Sequence, residues 1–241
     1  MADLERTREL VAQACRVLGK LELTKSLSGH VSARTAGTDT ILIRARGPGE
    51  SGVRFTAPRD VITVDLNGKK LDGPELLEPP QEIFIHTWIY RMRPDVNSVI
   101  HIHPPTVVLF TICDKPLLPL YGAYDPSSIR LLMEGIPTYR RSLTVSNDEL
   151  GREFADVMGG KRACLMRGHG VTTCGGQVEA ATLTAIKLNE LAEMNYRAHL
   201  LGNPVPIPAE EIEVITRSGE KAKTMAHQES LWRYYCRLVG E

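Results

Sequence analysis

The stretch Ser98-Val99-Ile100-His101-Ile102-His103-Pro104-Pro105 decides how the chain is read. Apolar β-branched residues alternate with histidines and two prolines follow, which predicts a short strand ending at Pro104. Side chains of a strand alternate between faces, so Val99, His101 and His103 share one face and Ile100 and Ile102 the other. Two imidazoles side by side on a stiff element offer two neutral nitrogen ligands to one divalent ion. From this stretch alone, a half-exposed strand carrying two surface histidines is the alternative.

Outward from it, the 241 residues suffice for one large domain with a substantial core. Lys+Arg and Asp+Glu both number 29, so no overall field recruits nucleic acid or an anionic membrane, and an anionic ligand needs locally placed cations. The five cysteines are scattered and form no C-x-x-C, as expected of reduced thiols in a cytoplasmic protein. The charged opening Ala2-Asp3-Leu4-Glu5-Arg6 has no apolar signal region behind it, and no apolar run is long enough to span a membrane.

Apolar periodicity predicts helices over 3–19, 81–92, 106–112, 149–158 (capped by Ser146 or Asn147) and 178–200, with a charged, mostly helical tail over 209–241. Strands are expected at 41–44, 53–55, 61–64, 117–120, 163–166 and 171–174, and Asn67-Gly68 predicts a hairpin into Lys70-Leu71. Ser26 to Arg34 reads as a small-residue loop running into a strand. Such a loop lets backbone N–H groups approach a ligand, or it is a plain turn. The alternation of strands with helices, without repeats or a shift in composition, predicts one α/β domain over 1–241 with a helical arm from about 205.

Of seven histidines, His101, His103 and His169 sit at proline or glycine breaks after apolar strands, where a sheet presents side chains to a cleft. Glu82 opens the helix before the histidine strand, so one carboxylate can complete a three-His, one-Glu set. Imidazole with carboxylate suits Zn, Mn, Fe or Co better than Ca or Mg.

Four motifs in order, Ser-Gly-His-Val-Ser-Ala-Arg (28–34), Pro-Pro-Gln-Glu-Ile-Phe-Ile-His (79–86), His-Ile-His-Pro (101–104) and Arg-Gly-His-Gly-Val (167–171), resemble the class II aldolase/adducin family from about residue 5 to 200. The resemblance implies a three-layer α/β/α fold around a central, mainly antiparallel sheet, and a homotetramer with active sites between subunits. It further implies a divalent transition metal ion, Zn or Mn before Fe or Co, on His101, His103 and His169. Glu82 would be a fourth ligand or an acid/base, and His86, one helical turn on, a packing residue.

Departures from the family pattern narrow the substrate. Sugar-phosphate members hold the phosphate with Ser-Gly-Asn, a threonine- and glycine-rich second loop, and a serine pair before the glutamate. The matching places here read Ser28-Gly29-His30, Arg44-Ala45-Arg46-Gly47 and Pro80-Gln81, which do not make a phosphate cradle. Arg46 points instead to a carboxylate, which its planar fork can pair bidentately, with a surface salt bridge as the alternative. His30 is expected to donate a proton or a hydrogen bond to the substrate, or to make a structural bond.

The segments 42–47 and 103–130, above all Tyr121-Gly122-Ala123-Tyr124-Asp125-Pro126-Ser127-Ser128, are similar to a decarboxylase branch acting on ortho-hydroxy aromatic dicarboxylates: 3,4-dihydroxyphthalate or 3-hydroxy-2-methylpyridine-4,5-dicarboxylate. The expected reaction is non-oxidative loss of CO2, with electrons drawn to a phenolate oxygen on the metal. Glu82 and His30 are the expected catalytic groups, and Ser28, Gly29, Arg46, Gln81 and Tyr124 the expected substrate contacts. An aldolase of small non-phosphorylated substrates and a non-enzymatic adducin-like scaffold are the alternatives. The intact Glu82, His101, His103 and His169 argue against the scaffold.

Overall fold

A computed structural model describes residues 2–217 and 221–240. Met1, residues 218–220 and Glu241, which the single-domain and helical-tail expectations include, lie outside the described residues. Eight strands form one sheet: β1 (His30–Arg34), β2 (Thr40–Arg44), β3 (Val61–Asp65), β4 (Lys70–Asp72), β5 (Ser98–Ile102), β6 (Thr138–Tyr139), β7 (Ala163–Met166) and β8 (Gly170–Gly175). Their order is β4-β3-β2-β1-β5-β8-β7-β6. Every neighbouring pair is antiparallel except β6–β7, so the sheet is mainly antiparallel, as expected.

Strand alternation divides the core into two layers, one on each face of the sheet. Leu42, Ile100, Ile102, Ala163 and Leu165 face helices α1 (Ala2–Lys20), α3 (Pro105–Ile112), α6 (Val178–Leu201) and α8 (Lys221–Arg237). Ile41, Ile43, Val99, Cys164 and Met166 face α2 (Ile83–Met92) and α5 (Asp148–Met158). Two shorter helices, α4 (Pro126–Glu134) and α7 (Ala209–Arg217), pack on each other beside this body. The result is a three-layer α/β/α arrangement with His101 on the α2 face of its most buried strand.

Two expected strands are absent. Val53–Phe55 forms one 3-10 turn: Gly52 turns the chain with φ 78°, Val53 N–H donates to Ser26 O at 2.9 Å, and Pro58 follows before a ladder can extend. Residues 117–120 run alongside α6 without joining the sheet, since Pro116 and Pro119 lack the N–H groups that a ladder requires. Asn195, wholly buried on α6, pairs with that segment instead. Its Oδ1 accepts from Leu118 N–H at 2.8 Å and its Nδ2 donates to Leu118 O at 3.0 Å. Each such bond stabilises by about 0.5–1.5 kcal/mol, and more is lost if a buried partner is orphaned.

Helix α2 carries the functional end of this layer, and α5 holds it in place. Gly151 of α5 lies so close to α2 that an added Cβ would stand 2.5 Å from Trp88 Cδ1 and 2.8 Å from Phe84 Cβ. At an exposed helical site Gly→Ala stabilises by about 1 kcal/mol. Here overpacking reverses the sign, and Gly151→Ala is expected to destabilise by roughly 1–3 kcal/mol. A urea melt reads this as a lowered midpoint, and an unchanged or raised midpoint would show that α2 and α5 are not in close contact.

Candidate metal centre

Register places the first imidazoles. β1 and β5 pair so that His30 stands opposite His101, both on the α2 face. β5 ends at Ile102 and His103 follows on the turn into α3, which starts at Pro105 as a helix tolerates in its first turn. His169 comes from the hairpin between β7 and β8, so its flanking glycines serve both a turn and an approach. Gly168 has φ 64°, and a Cβ on Gly170 would overlap Ile102 O and stand 2.7 Å from His103 Cδ2.

Glu82 is the residue just before α2, not within it, because Ile83 N–H bonds to Pro80 O at 3.0 Å and opens the helix there. Its two oxygens have separate tasks. Oε1 accepts from the backbone N–H of Val145 at 3.2 Å. Oε2 faces the imidazoles, 3.3 Å from His101 Nε2, 3.5 Å from His169 Nε2 and 3.9 Å from His30 Nε2. His101 Nε2 and His103 Nε2 approach to 2.8 Å.

Glu82, His101, His103 and His169 thus bring one ligand atom each within 4.8 Å of one another, a set that could hold a divalent metal ion. The surrounding bonds fit such an ion. His101 Nδ1 lies 3.1 Å from Thr172 Oγ1, whose hydroxyl donates on to Met166 Sδ at 3.7 Å. The Thr172 oxygen therefore accepts the Nδ1 proton, leaving the Nε2 lone pair free, which is how outer partners orient a metal-binding histidine.

The charges agree with this arrangement. Burial opposes ionisation of Glu82, but His101, His169 and His30 outweigh it and hold the carboxyl well below the usual range. Burial, with His101 and His169 nearby, lowers His103 to about 3. The hydrogen bond to Glu82 raises His169 against the opposing effect of burial. Burial drives His30 well below its ordinary value and His86 down to about 3.

A cavity of about 340 Å³ opens over this cluster, with Glu82, His103 and His169 beneath Ser28, Gly29, His30, Arg46 and Gln81. That size suits a small ligand. The two arginines differ. Arg44 is buried and spent on structure: it donates to Leu27 O at 3.0 Å, Gly29 O at 2.8 Å and Thr56 Oγ1 at 3.2 Å, and pairs with Glu50. Arg46 is exposed, and among the described residues its side chain is engaged only through Nε, with Pro79 O at 2.9 Å. Its two terminal nitrogens are therefore free to pair with a carboxylate.

Tyr124 is not brought to this cavity. It is 84% exposed, stacks at 5.4 Å on Tyr121, and lines a separate depression with Leu120, Met194 and Val205. The tail residue Tyr235 packs within the fold, its hydroxyl donating to Glu190 at 3.2 Å. His86 takes the packing position expected of it and adds two bonds, at 2.7 Å to His30 Nδ1 and 2.6 Å to Ser32 Oγ. The sequence reading missed Thr172, the Val145 N–H and Ser32. Alternation was a signal for Thr172 along 171–174 and for Ser32 two residues after His30; the Val145 N–H had none.

Among the described residues, no helix is long and apolar enough to cross a membrane. The family model of the class II aldolase and adducin N-terminal domain matches residues 9–196. The 3,4-dihydroxyphthalate decarboxylase of Arthrobacter keyseri is 36% identical over 231 residues, which cover 94% of this chain and 91% of that one. The decarboxylase of the same name from Rhodococcus jostii is also 36% identical, over 80% of each chain. Among solved structures, the L-fuculose 1-phosphate aldolase of Glaciozyma antarctica superposes with a TM-score of 0.82 over 99% of this chain and 92% of that one; at 18% identity it speaks for the fold alone. The chain belongs to the class II aldolase and adducin family.

Proposed function

We propose that the protein is a metal-dependent, non-oxidative decarboxylase of an ortho-hydroxy aromatic dicarboxylate of the dihydroxyphthalate or hydroxypyridine-dicarboxylate type. The likeness to the Arthrobacter keyseri decarboxylase over nearly the whole chain carries this reading. The site supports it with four converging donors and a free guanidinium where a phosphate cradle would otherwise lie.

His101, His103, His169 and Glu82 would hold the ion, Zn or Mn by the mix of imidazole and carboxylate. When bound, such an ion supplies a Lewis acid that draws electron density from the substrate oxygens. Arg46 binds the carboxylate that is retained, and its fixed fork orients the ring. Ser28, Gly29 and Gln81 line the rim, where they meet the substrate. As CO2 leaves, the ring–carboxylate bond breaks, its electron pair stays on the ring carbon, and one proton is added there. Glu82 and His30 between them supply that proton and a hydrogen bond to the oxygen that gathers charge.

The proposed assembly is a cytoplasmic homotetramer with its sites between subunits. Leu27, beside the cavity, and Phe55 are 59% and 68% exposed, apolar surface of the kind a second subunit covers.

The direct test incubates metal-loaded protein with a panel of ortho-hydroxy aromatic dicarboxylates and measures CO2. Release from at least one, abolished by chelation and restored by metal, is expected. No release from any, together with carbonyl products from a hydroxy-acid or sugar, would establish an aldolase instead. Proton competition supplies a second test. Because Glu82 raises His169, the apparent metal affinity should begin to fall as pH drops through a value above 6.5. His103, lowered to about 3, adds no loss until far more acid pH. Glu82→Gln should shift the onset to lower pH while weakening binding overall; an onset unmoved by Glu82→Gln would contradict the assignment.

A further inference from the structure

Behind His30 runs a buried row of polar groups that the proposed reaction does not use. His30 Nδ1 lies 2.7 Å from His86 Nε2, and His86 Nδ1 lies 2.6 Å from Ser32 Oγ. Ser32 Oγ in turn lies 2.8 Å from Tyr90 Oη. His86 and Ser32 are wholly buried, Tyr90 is 2% exposed and His30 6%. Each hydrogen in such a row must find an acceptor, so its direction can be worked out from the closed end.

Tyr90 is that end. The one acceptor within reach of its phenolic hydrogen, among the described residues, is Ser32 Oγ, so Tyr90 donates to Ser32. Ser32 has one hydrogen and two further neighbours: His86 Nδ1 at 2.6 Å and Val99 O at 3.4 Å. The longer separation is beyond a good O–H···O bond and the shorter is close to ideal, so Ser32 donates to His86 Nδ1. A ring nitrogen that accepts a hydrogen bond carries no proton, so each imidazole whose Nδ1 accepts keeps its one proton on Nε2. With Nδ1 accepting, His86 carries its proton on Nε2 and donates to His30 Nδ1. His30 in turn is left with its proton on Nε2, at the cavity.

We propose that Tyr90, Ser32 and His86 form a one-way hydrogen-bond chain that holds His30 as a neutral Nε2–H donor facing the cavity, so that His30 binds an anionic oxygen of the substrate and keeps its proton throughout. His86, Ser32 and Tyr90 are then positioning residues. Proton delivery to the ring carbon falls to Glu82: as a carboxylate it takes a proton from the substrate hydroxyl on binding and returns it to the carbon that loses CO2. The nature of the substrate rests on the decarboxylase reading; the direction of the chain does not.

The experiment is a long-range ¹H–¹⁵N correlation on histidine-labelled protein, metal-free and zinc-loaded, with His30 assigned from His30→Gln. The Nε2–H pattern is expected for both His30 and His86. Ser32→Ala removes the donor to His86 Nδ1 and should change the His30 tautomer ratio by about tenfold, the effect of one ordinary hydrogen bond. An Nδ1–H or doubly protonated His30 at neutral pH in the unmodified protein would overturn the proposal. Kinetics separates donor from acid. Gln donates an N–H but cannot release a proton, so His30→Gln should keep kcat within about tenfold while His30→Leu loses on the order of 10²-fold or more; equal losses of 10²–10⁴-fold in both would make His30 the acid. Absence of CO2 from the unmodified enzyme, with the Nε2–H pattern intact, would defeat the decarboxylase reading and uphold the chain.

Discussion

A carboxylate that is only 7% exposed, as Glu82 is, stays ionised only if its surroundings replace the water it has lost. The backbone of Val145 serves one oxygen and three imidazoles face the other. That single buried anion organises the site. It requires the loop before α5 to pass within hydrogen-bond reach and sets the side from which His101 and His169 approach. A divalent ion on the same donors would complete the balance, since buried charges persist when paired or coordinated.

The sheet makes this placement repeatable. His101 is held by ladders on both sides, opposite His30 on β1 and Thr172 on β8. A register slip of one residue would exchange His101 for Ile100 or Ile102 and send the imidazole into the apolar layer under α6. The same register puts Thr172 behind His101 and places Ser32 to meet His86 and Tyr90 of α2, so His101 directly and His30 through His86 are steadied from the side away from the cavity. His101 is fixed by its strand and Glu82 by the helix start, while the rim, with Arg46 and Gln81, sits on loops where substrate choice can change without disturbing the floor.

Much of this was legible in the chain itself. Alternation through 98–103 gave the strand and the shared face of His101 and His103, and Pro79-Pro80 gave the helix that Glu82 precedes. A glycine on each side of His169 suggests a turn that brings its imidazole close to something, or a plain hairpin; it is a hairpin, and its Gly170 lies against Ile102 O and His103. What could not be read depends on distant backbone: nothing near residue 145 says that its N–H meets Glu82, 63 residues earlier. Residues 117–120 look like a strand by composition, yet their prolines and the amide of Asn195 decide otherwise. Helix α4 had a local signal that went unread: Asp125 accepts from Ser127 N–H at 3.2 Å and Pro126 takes the first helical position. Tyr124 was grouped with the site because its neighbours in sequence resemble the decarboxylase branch, but the fold of a single chain keeps it elsewhere.

The central claim is that Glu82, His101, His103 and His169 hold one divalent ion. X-ray absorption at the metal edge of the zinc-loaded protein tests it most directly. The account predicts one ion per chain, with a first shell of nitrogen and oxygen at about 2.0–2.2 Å and scattering from three imidazole rings. His169→Ala should reduce that to two rings without changing the others. A shell containing sulfur, or one whose imidazole scattering survives His101→Ala and His169→Ala unchanged, would contradict it.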